Sequence, residues 1–391
     1  MISISSSLGV SKENRGLMYA MYFAFLCSGL VSQLFGAILP FMETEYGLSK
    51  TFQGALISAH QVGNLLAVFI AGYLPYAIGR KKSTVSLSSG KALGLLIMGL
   101  TGNPALLIIA FALTGVGRGT LSNITNVVIS EVSEKKTSAL NILHATFAIG
   151  AIVSPFLVML VTKNGGSWRI PLFIIMTLEV ISVIAITRSS LSNKPSEKKK
   201  GSEQSPFTDP HWWLNTGILF FYLCSEASIM GWLISYFKAD GRLGATFSQL
   251  SSSFLWITML TGRLLCASVG GHVRKNKLLF VLGICQTVSF ILLLNVKGTP
   301  ATLTMLLLLG LFMSATYPTT LATMPSRYNG STIATGNCIA IASIGAIVMP
   351  TIVGFVADRH SLAGGIATIS VALCCMVVLI TIKLIVEKKA D

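Results

Sequence analysis

The sequence predicts an all-α membrane protein of twelve spanning helices arranged as two six-helix bundles, and three observations carry that reading. The first is composition: of 391 residues, 52% are hydrophobic and only 11% charged, with a mean hydropathy of +0.73. That leaves too little charge to cover the surface of water-soluble domains. The second is the recurrence of apolar runs about 20 residues long, the length a helix needs to cross a hydrocarbon core of about 30 Å. The third is the placing of lysine and arginine in short clusters between those runs. The formal net charge of +15 is therefore that of membrane loops rather than of a nucleic-acid surface.

Taken in order, the runs predict spans near 17–41, 51–74, 84–101, 105–130, 139–162, 170–188, 212–237, 247–270, 278–296, 300–323, 332–356 and 362–386. Helices are required because a segment in lipid must satisfy its own backbone hydrogen bonds. The first run, Leu17 to Phe41, is too long for the apolar core of a signal peptide and reads as a permanent span. With the N-terminus inside, the inner loops collect most of the basic residues, including Arg80, Lys81, Lys82, Lys135, Lys136, Arg274, Lys275 and Lys277. The outer loops hold few, among them Lys50, Lys163, Arg169 and Arg242. This asymmetry places both termini in the cytoplasm of a cell (plasma or inner) membrane protein.

The longest polar stretch, 189–211, carries Lys198, Lys199 and Lys200 with three prolines and reads as a cytoplasmic linker. It divides an N-terminal bundle, 1–188, from a C-terminal bundle, 212–391. Seven cysteines, all in apolar runs and without metal-ligand spacing, read as small packing residues. No metal or cofactor is expected. No phosphate-binding loop and no hydrolase motif is present, which argues against ATP-driven work and against an enzyme.

The halves resemble each other. Ile149–Pro155 reads IGAIVSP, and 195 positions later Ile344–Pro350 reads IGAIVMP. At the same offset Thr51-Phe52 meets Thr246-Phe247, and Gly36 meets Gly231. Six spans per half keep equivalent helices parallel, so the repeats are expected about a pseudo-two-fold axis along the membrane normal. Such repeats point to a transporter that rocks its two halves around a central site.

The whole chain resembles the major facilitator superfamily. The loop Gly72-Tyr-Leu-Pro-Tyr-Ala-Ile-Gly79-Arg80-Lys81 is similar to that family's signature after span two, with Tyr76 where an acid is usual. Gly262-Arg263 leading to Gly271-His272-Val273-Arg274 is its weaker echo in the second half. Gly117–Asn126, Leu140–His144 and Glu226–Leu233 are most similar to the fucose/glucose–proton symporter group. Ser122 stands where members of that group often carry an acid on span four. The resemblance implies secondary transport by alternating access, with spans one, four, seven and ten lining the chamber.

Ionisable side chains in a membrane are costly, and their default reading is functional. Glu226, mid-span in span seven, is the candidate proton-coupling group. Arg118 in span four and Arg263 in span eight are candidate donors to substrate. Gln33, Asn123, Asn126, His144 and Asn337 supply neutral polar contacts, and Trp232 and Tyr317 a sugar-stacking platform. Lys91 in span three and Glu179 in span six are expected to pair as a structural feature outside the site. His60 and Asn64 share a face of span two, and a lone membrane histidine reads as a packing residue.

The expected function is proton-coupled uptake of a small polar organic solute such as a sugar or sugar derivative. The expected partners are that solute, a proton and the bilayer, with the chain acting as a monomer. An organic-anion carrier using Arg118 and Arg263, an exporter of drugs or metabolites, and a membrane receptor are the competing readings.

Overall fold

The structure is a computed structural model that describes residues 4–193, 205–269, 274–328 and 331–388. Lys198–Lys200 and Gly271–Val273 lie outside the described residues. The described residues form twelve long helices: α1 Arg15–Tyr46, α2 Lys50–Ile78, α3 Arg80–Leu100, α4 Pro104–Val132, α5 Lys136–Lys163, α6 Arg169–Arg188, α7 Pro210–Asp240, α8 Ala245–Val269, α9 Lys275–Asn295, α10 Thr299–Ala322, α11 Thr332–Arg359 and α12 Leu362–Lys388. Each expected span is met by one of them. Ten are long and apolar enough to cross a membrane on length and composition alone, and α2 and α8 take the second place in each half.

Local chemistry sets several ends. Asn103 caps α4, its side chain accepting from the amides of Ala105 and Leu106, with Pro104 as the first helical residue. Gly241 ends α7 in the left-handed region at φ 73°, which favours glycine. Asp209 caps the start of α7 and also accepts from Arg327, Nε to Oδ2 at 2.9 Å. Burial disfavours the charged form of this carboxyl. Arg327 and the amides of His211 and Trp212 outweigh burial and hold its pKa below the usual aspartate range.

The helices group into two compact units. One holds residues Met1–Tyr46 and Ala59–Lys199, the other Gly47–Ser58 and Lys200–Asp391. The first turns of α2 thus belong with the second unit, for a visible reason. The Asp358 carboxylate of α11 accepts from the amides of Lys50 and Thr51 at 2.8 and 2.7 Å. Ser58 bonds the Ile347 carbonyl and lies 2.8 Å from Thr351 Oγ1.

The internal repeat is a packing device. In the first unit α1 and α5 cross so closely that a Cβ on Gly150 would strike the carbonyl of Leu26. In the second, a Cβ on Gly345 would meet the carbonyl of Phe220 on α7. The two glycines are the same residue of the repeated IGAIV motif, and each lets one backbone lie against another as small residues do in membrane bundles. Gly150→Val and Gly345→Val are each expected to cost about 1–3 kcal/mol or more by overpacking. Gly336→Ala on α11, facing open space, is the control and is expected to leave thermal unfolding in detergent unchanged. Equal stability of all three variants would refute the close-crossing account.

Inside the first unit, Lys91 of α3 and Glu179 of α6 are fully buried and joined, Nζ to Oε1 at 2.7 Å. Lys91 also donates to Ser28 Oγ of α1 at 2.9 Å. The expected loop Gly72–Lys81 is mostly helical: Tyr76 lies within α2, and Arg80, the first residue of α3, pairs with Glu131 near the end of α4 at 2.7 Å.

Candidate functional site

Two polar clusters stand out, one in each unit. In the first, Gly117 and Gly119 allow α4 to be approached by α3 and α2. A Cβ on Gly117 would meet Lys91 Cγ and Ser88 O, and one on Gly119 would meet Asn64 O. Between these glycines Arg118 is half-buried. Its Nη1 lies 3.4 Å from His60 Nε2 on α2, and its guanidinium carbon 6.0 Å from the centre of the Phe147 ring on α5. His60 Nδ1 lies 2.9 Å from Thr114 Oγ1, which donates to the Phe111 carbonyl at 2.6 Å.

These contacts fit one proton arrangement. Arginine has no acceptor, so Nε2 must accept; Nδ1 then carries the hydrogen and donates to Thr114. His60 is neutral in this arrangement and orients Arg118. Phe35 of α1 packs edge-on to the same imidazole, ring centres 5.0 Å apart.

In the second unit the cluster is built on a broken helix. α10 consists of Thr299–Met313 and Thr316–Ala322, interrupted at Ser314 and Ala315. Pro318 has no amide hydrogen to give the Ser314 carbonyl, the usual i−4 acceptor. Side chains take over. Arg263 Nε of α8 donates to the Ser314 carbonyl at 3.2 Å, and the Tyr222 hydroxyl of α7 lies 3.1 Å from the Met313 carbonyl. The same hydroxyl donates to Glu226 Oε1 at 2.8 Å, and Tyr317 stands edge-on to Tyr222 with ring centres 6.4 Å apart. Arg263 also lies over the Trp256 ring at 5.7 Å. Close approach of α8 makes this reach possible, since a Cβ on Gly262 would strike Ser314. Irregular backbone at membrane depth is tolerated where protein groups or a polar chamber satisfy it.

The structure therefore brings Glu226, Arg263 and Tyr317 together, and places Arg118 in the other cluster. Gln33 on α1 is 2% exposed, and its Oε1 has no protein hydrogen-bond partner among the described residues. Asn123 is exposed on α4; Asn126 is half-buried and donates to the Ser122 carbonyl of its own helix at 2.6 Å. His144 is exposed on α5, its ring edge-on to Phe25. Asn337 is half-buried on α11. Trp232 is fully buried, with its indole N–H donating to the Pro350 carbonyl at 3.2 Å. In this conformation it offers no face to a ligand and instead ties α7 to α11.

Sequence reasoning did not bring Phe147 or Trp256 into these clusters, and it read the lone histidine His60 as a packing residue. The signal for the second cluster was present in Pro318, which orphans the carbonyl that Arg263 takes. The signal for His60 was the spacing of Thr114 and Arg118, one helical turn apart on a face that α2 covers.

A sequence model of the Major Facilitator Superfamily matches residues 21–342. The chain belongs to that superfamily. An MFS-type transporter of Yersinia pestis is 23% identical over 353 residues, covering 87% of this chain and 88% of the relative. A cis,cis-muconate transport protein of Acinetobacter baylyi is 22% identical over 402 residues, 95% of this chain and 94% of that one. Among solved structures, FucP, the fucose:proton symporter of E. coli, superposes in its outward conformation with a TM-score of 0.64 at 17% identity. The superposition covers 94% of this chain and 98% of FucP. At that identity the likeness establishes the fold, the twelve-helix major facilitator architecture. The chain is a multi-pass membrane transporter of this superfamily.

Proposed function

We propose that this transporter couples the uptake of a small polar organic solute, a sugar or sugar derivative, to the entry of a proton through Glu226. The observation that carries the reading is the Tyr222–Glu226 pair beside the break in α10. The tyrosine hydroxyl has two acceptors within reach, the Glu226 carboxylate and the Met313 carbonyl. It donates to the carboxylate when Glu226 is ionised. It can turn to the carbonyl and accept from Glu226 when the carboxyl is protonated. Either protonation state thus finds a hydrogen-bond partner, which a group that loads and releases a proton in lipid requires.

In this proposal Arg118, held by His60, and Arg263, held by the α10 carbonyl, are the strong donors to solute. Gln33, Asn123, Asn126, His144 and Asn337 add neutral contacts, and Tyr317 is the aromatic surface. Sugar recognition needs many such neutral partners and a ring to stack on. The chain acts alone, as a monomer, with its basic loops and both termini in the cytoplasm.

A second reading, transport of organic carboxylates, is favoured by the two arginines and by the muconate relative. The readings part at Arg118, whose planar fork suits a carboxylate. Arg118→Gln is expected to reduce uptake of a neutral sugar by about tenfold or less, the loss of roughly one strong hydrogen bond. The same variant should abolish uptake of a dicarboxylate. The assay is uptake of labelled sugars and carboxylates by proteoliposomes. Carboxylate uptake by the wild type with no sugar uptake, lost in Arg118→Gln, would replace the first reading by the second.

A further inference from the structure

The second unit holds a polar cavity that the transport reading does not use. Its volume is about 550 Å³, within the range of small-molecule sites. It lies where α7 and α9 begin and where α10 and α12 end, walled by His211, Asn215, Lys275, Thr323, Arg327 and Lys383 among others. All of these belong to the second unit. The distribution of lysine and arginine assigns this end of the bundle to the cytoplasm.

Three features define what the cavity would take. Its charged lining is cationic: Lys275, Arg327 and Lys383 border it, and no aspartate or glutamate does among the described residues. The carboxylate of Asp209 is buried and engaged by Arg327, while the Arg327 side chain remains 53% exposed. The third feature is that the cationic wall is built rather than a solvated fringe. Lys383 is only 3% exposed, its ammonium donating to Asn215 Oδ1 at 2.7 Å and to the Thr323 carbonyl at 2.8 Å. Asn215 in turn donates to that carbonyl and is bridged by the Thr323 hydroxyl, so α7, α10 and α12 jointly fix the lysine at the cavity wall. The start of α9 adds to this. Lys275 and Asn276 of its first turn line the cavity, so the positive end of the helix dipole lies at the same wall.

We propose that this cavity is a binding site for a phosphate-type oxyanion. A neutral solute gains little from a wall bordered by Lys275, Arg327 and Lys383, whereas a phosphate group offers acceptor oxygens and negative charge to the exposed Lys275 and to the exposed part of Arg327, with Lys383 held behind them. The phosphate can come from the headgroup of an anionic phospholipid in the adjacent leaflet or from a free phosphate or phosphorylated metabolite in the cytosol. The proposal is independent of what the transporter carries.

The test is thermal unfolding of the full-length protein in lipid nanodiscs at constant ionic strength. In one arm the discs are phosphatidylcholine and inorganic phosphate is titrated against chloride. In the other the discs contain phosphatidylglycerol and no phosphate is added. A saturable rise in midpoint in the first arm identifies a soluble phosphate ligand; a rise confined to the second identifies the headgroup. In either case Lys275→Gln, an exposed position, is expected to weaken the effect by about tenfold. Lys383→Met should abolish it, and because that variant can misfold, Lys275→Gln carries the decision. No saturable rise in either arm, or a rise that Lys275→Gln leaves unchanged, overturns the proposal.

Discussion

Glu226→Gln is expected to exchange solute at close to the wild-type rate while failing to concentrate it. Glutamine is isosteric with the protonated carboxyl and keeps a hydrogen-bond relation with Tyr222, so the steps that carry loaded solute survive. What it removes is the ionised state, and with it the release of the proton. A proton gradient of one pH unit is worth about 1.36 kcal/mol, which supports roughly tenfold accumulation for a one-to-one symporter. That factor should vanish in the variant, and counterflow should stay within about two- to threefold of wild type. Counterflow and gradient-driven uptake measured on the same proteoliposomes separate the two. Undiminished accumulation by Glu226→Gln would remove the carboxyl from the coupling role. Tyr222→Phe provides a graded companion, since it deletes the hydroxyl that serves both protonation states but leaves the carboxyl in place.

The second large effect is on stability rather than transport. Lys91 and Glu179 are both fully buried and separated by 2.7 Å. Removing one partner strands the other charge in a medium that cannot solvate it. Lys91→Met is therefore expected to destabilise the protein by about 3–5 kcal/mol. The double variant Lys91→Met/Glu179→Leu should recover most of that loss, because an apolar pair of similar volume leaves no stranded charge. Thermal unfolding and monodispersity in detergent report both. A double variant as unstable as the single one would mean that the side chains' packing, not their charge, was at stake. Glu179 Oε2 has no hydrogen-bond partner among the described residues, which makes Lys91 the more important of its supports.

The twelve helices were legible because lipid leaves a sequence few choices: each span must be apolar for some 20 residues and polar at its ends. Lys91 and Glu179 were legible for the same reason, since two opposite charges at similar depth in neighbouring spans have little else to bond. The repeated IGAIV motif was visible as similarity, but its physical content emerged only with the fold, where Gly150 and Gly345 prove to be the crossing points of α1 with α5 and of α7 with α11. Periodicity and composition do not report such crossings.

The polar clusters were harder to read. Glu226 and Arg118 announced themselves as charges in apolar runs. His60 did not, because one histidine in a span has the same sequence signature whether it packs or orients a neighbour. The break in α10 was overlooked although Pro318 encodes it, because a proline in a span can be absorbed by a kink as readily as by an interruption. Trp232 shows how orientation escapes the sequence. A tryptophan beside a candidate site suggests a platform, yet the side chain is turned into the α7–α11 seam, where burial and a carbonyl acceptor serve its ring and its N–H together. Sequence position fixes which helix a residue is on; which way it faces is decided by neighbours far away in the chain.

Uptake by the purified wild-type protein, reconstituted into proteoliposomes with an inwardly directed proton gradient and offered a panel of labelled sugars and carboxylates, tests the central claim most directly. The account predicts that at least one polar solute accumulates above its external concentration and that a protonophore brings it back to equilibrium. Solute that merely equilibrates, with or without the gradient, would contradict it.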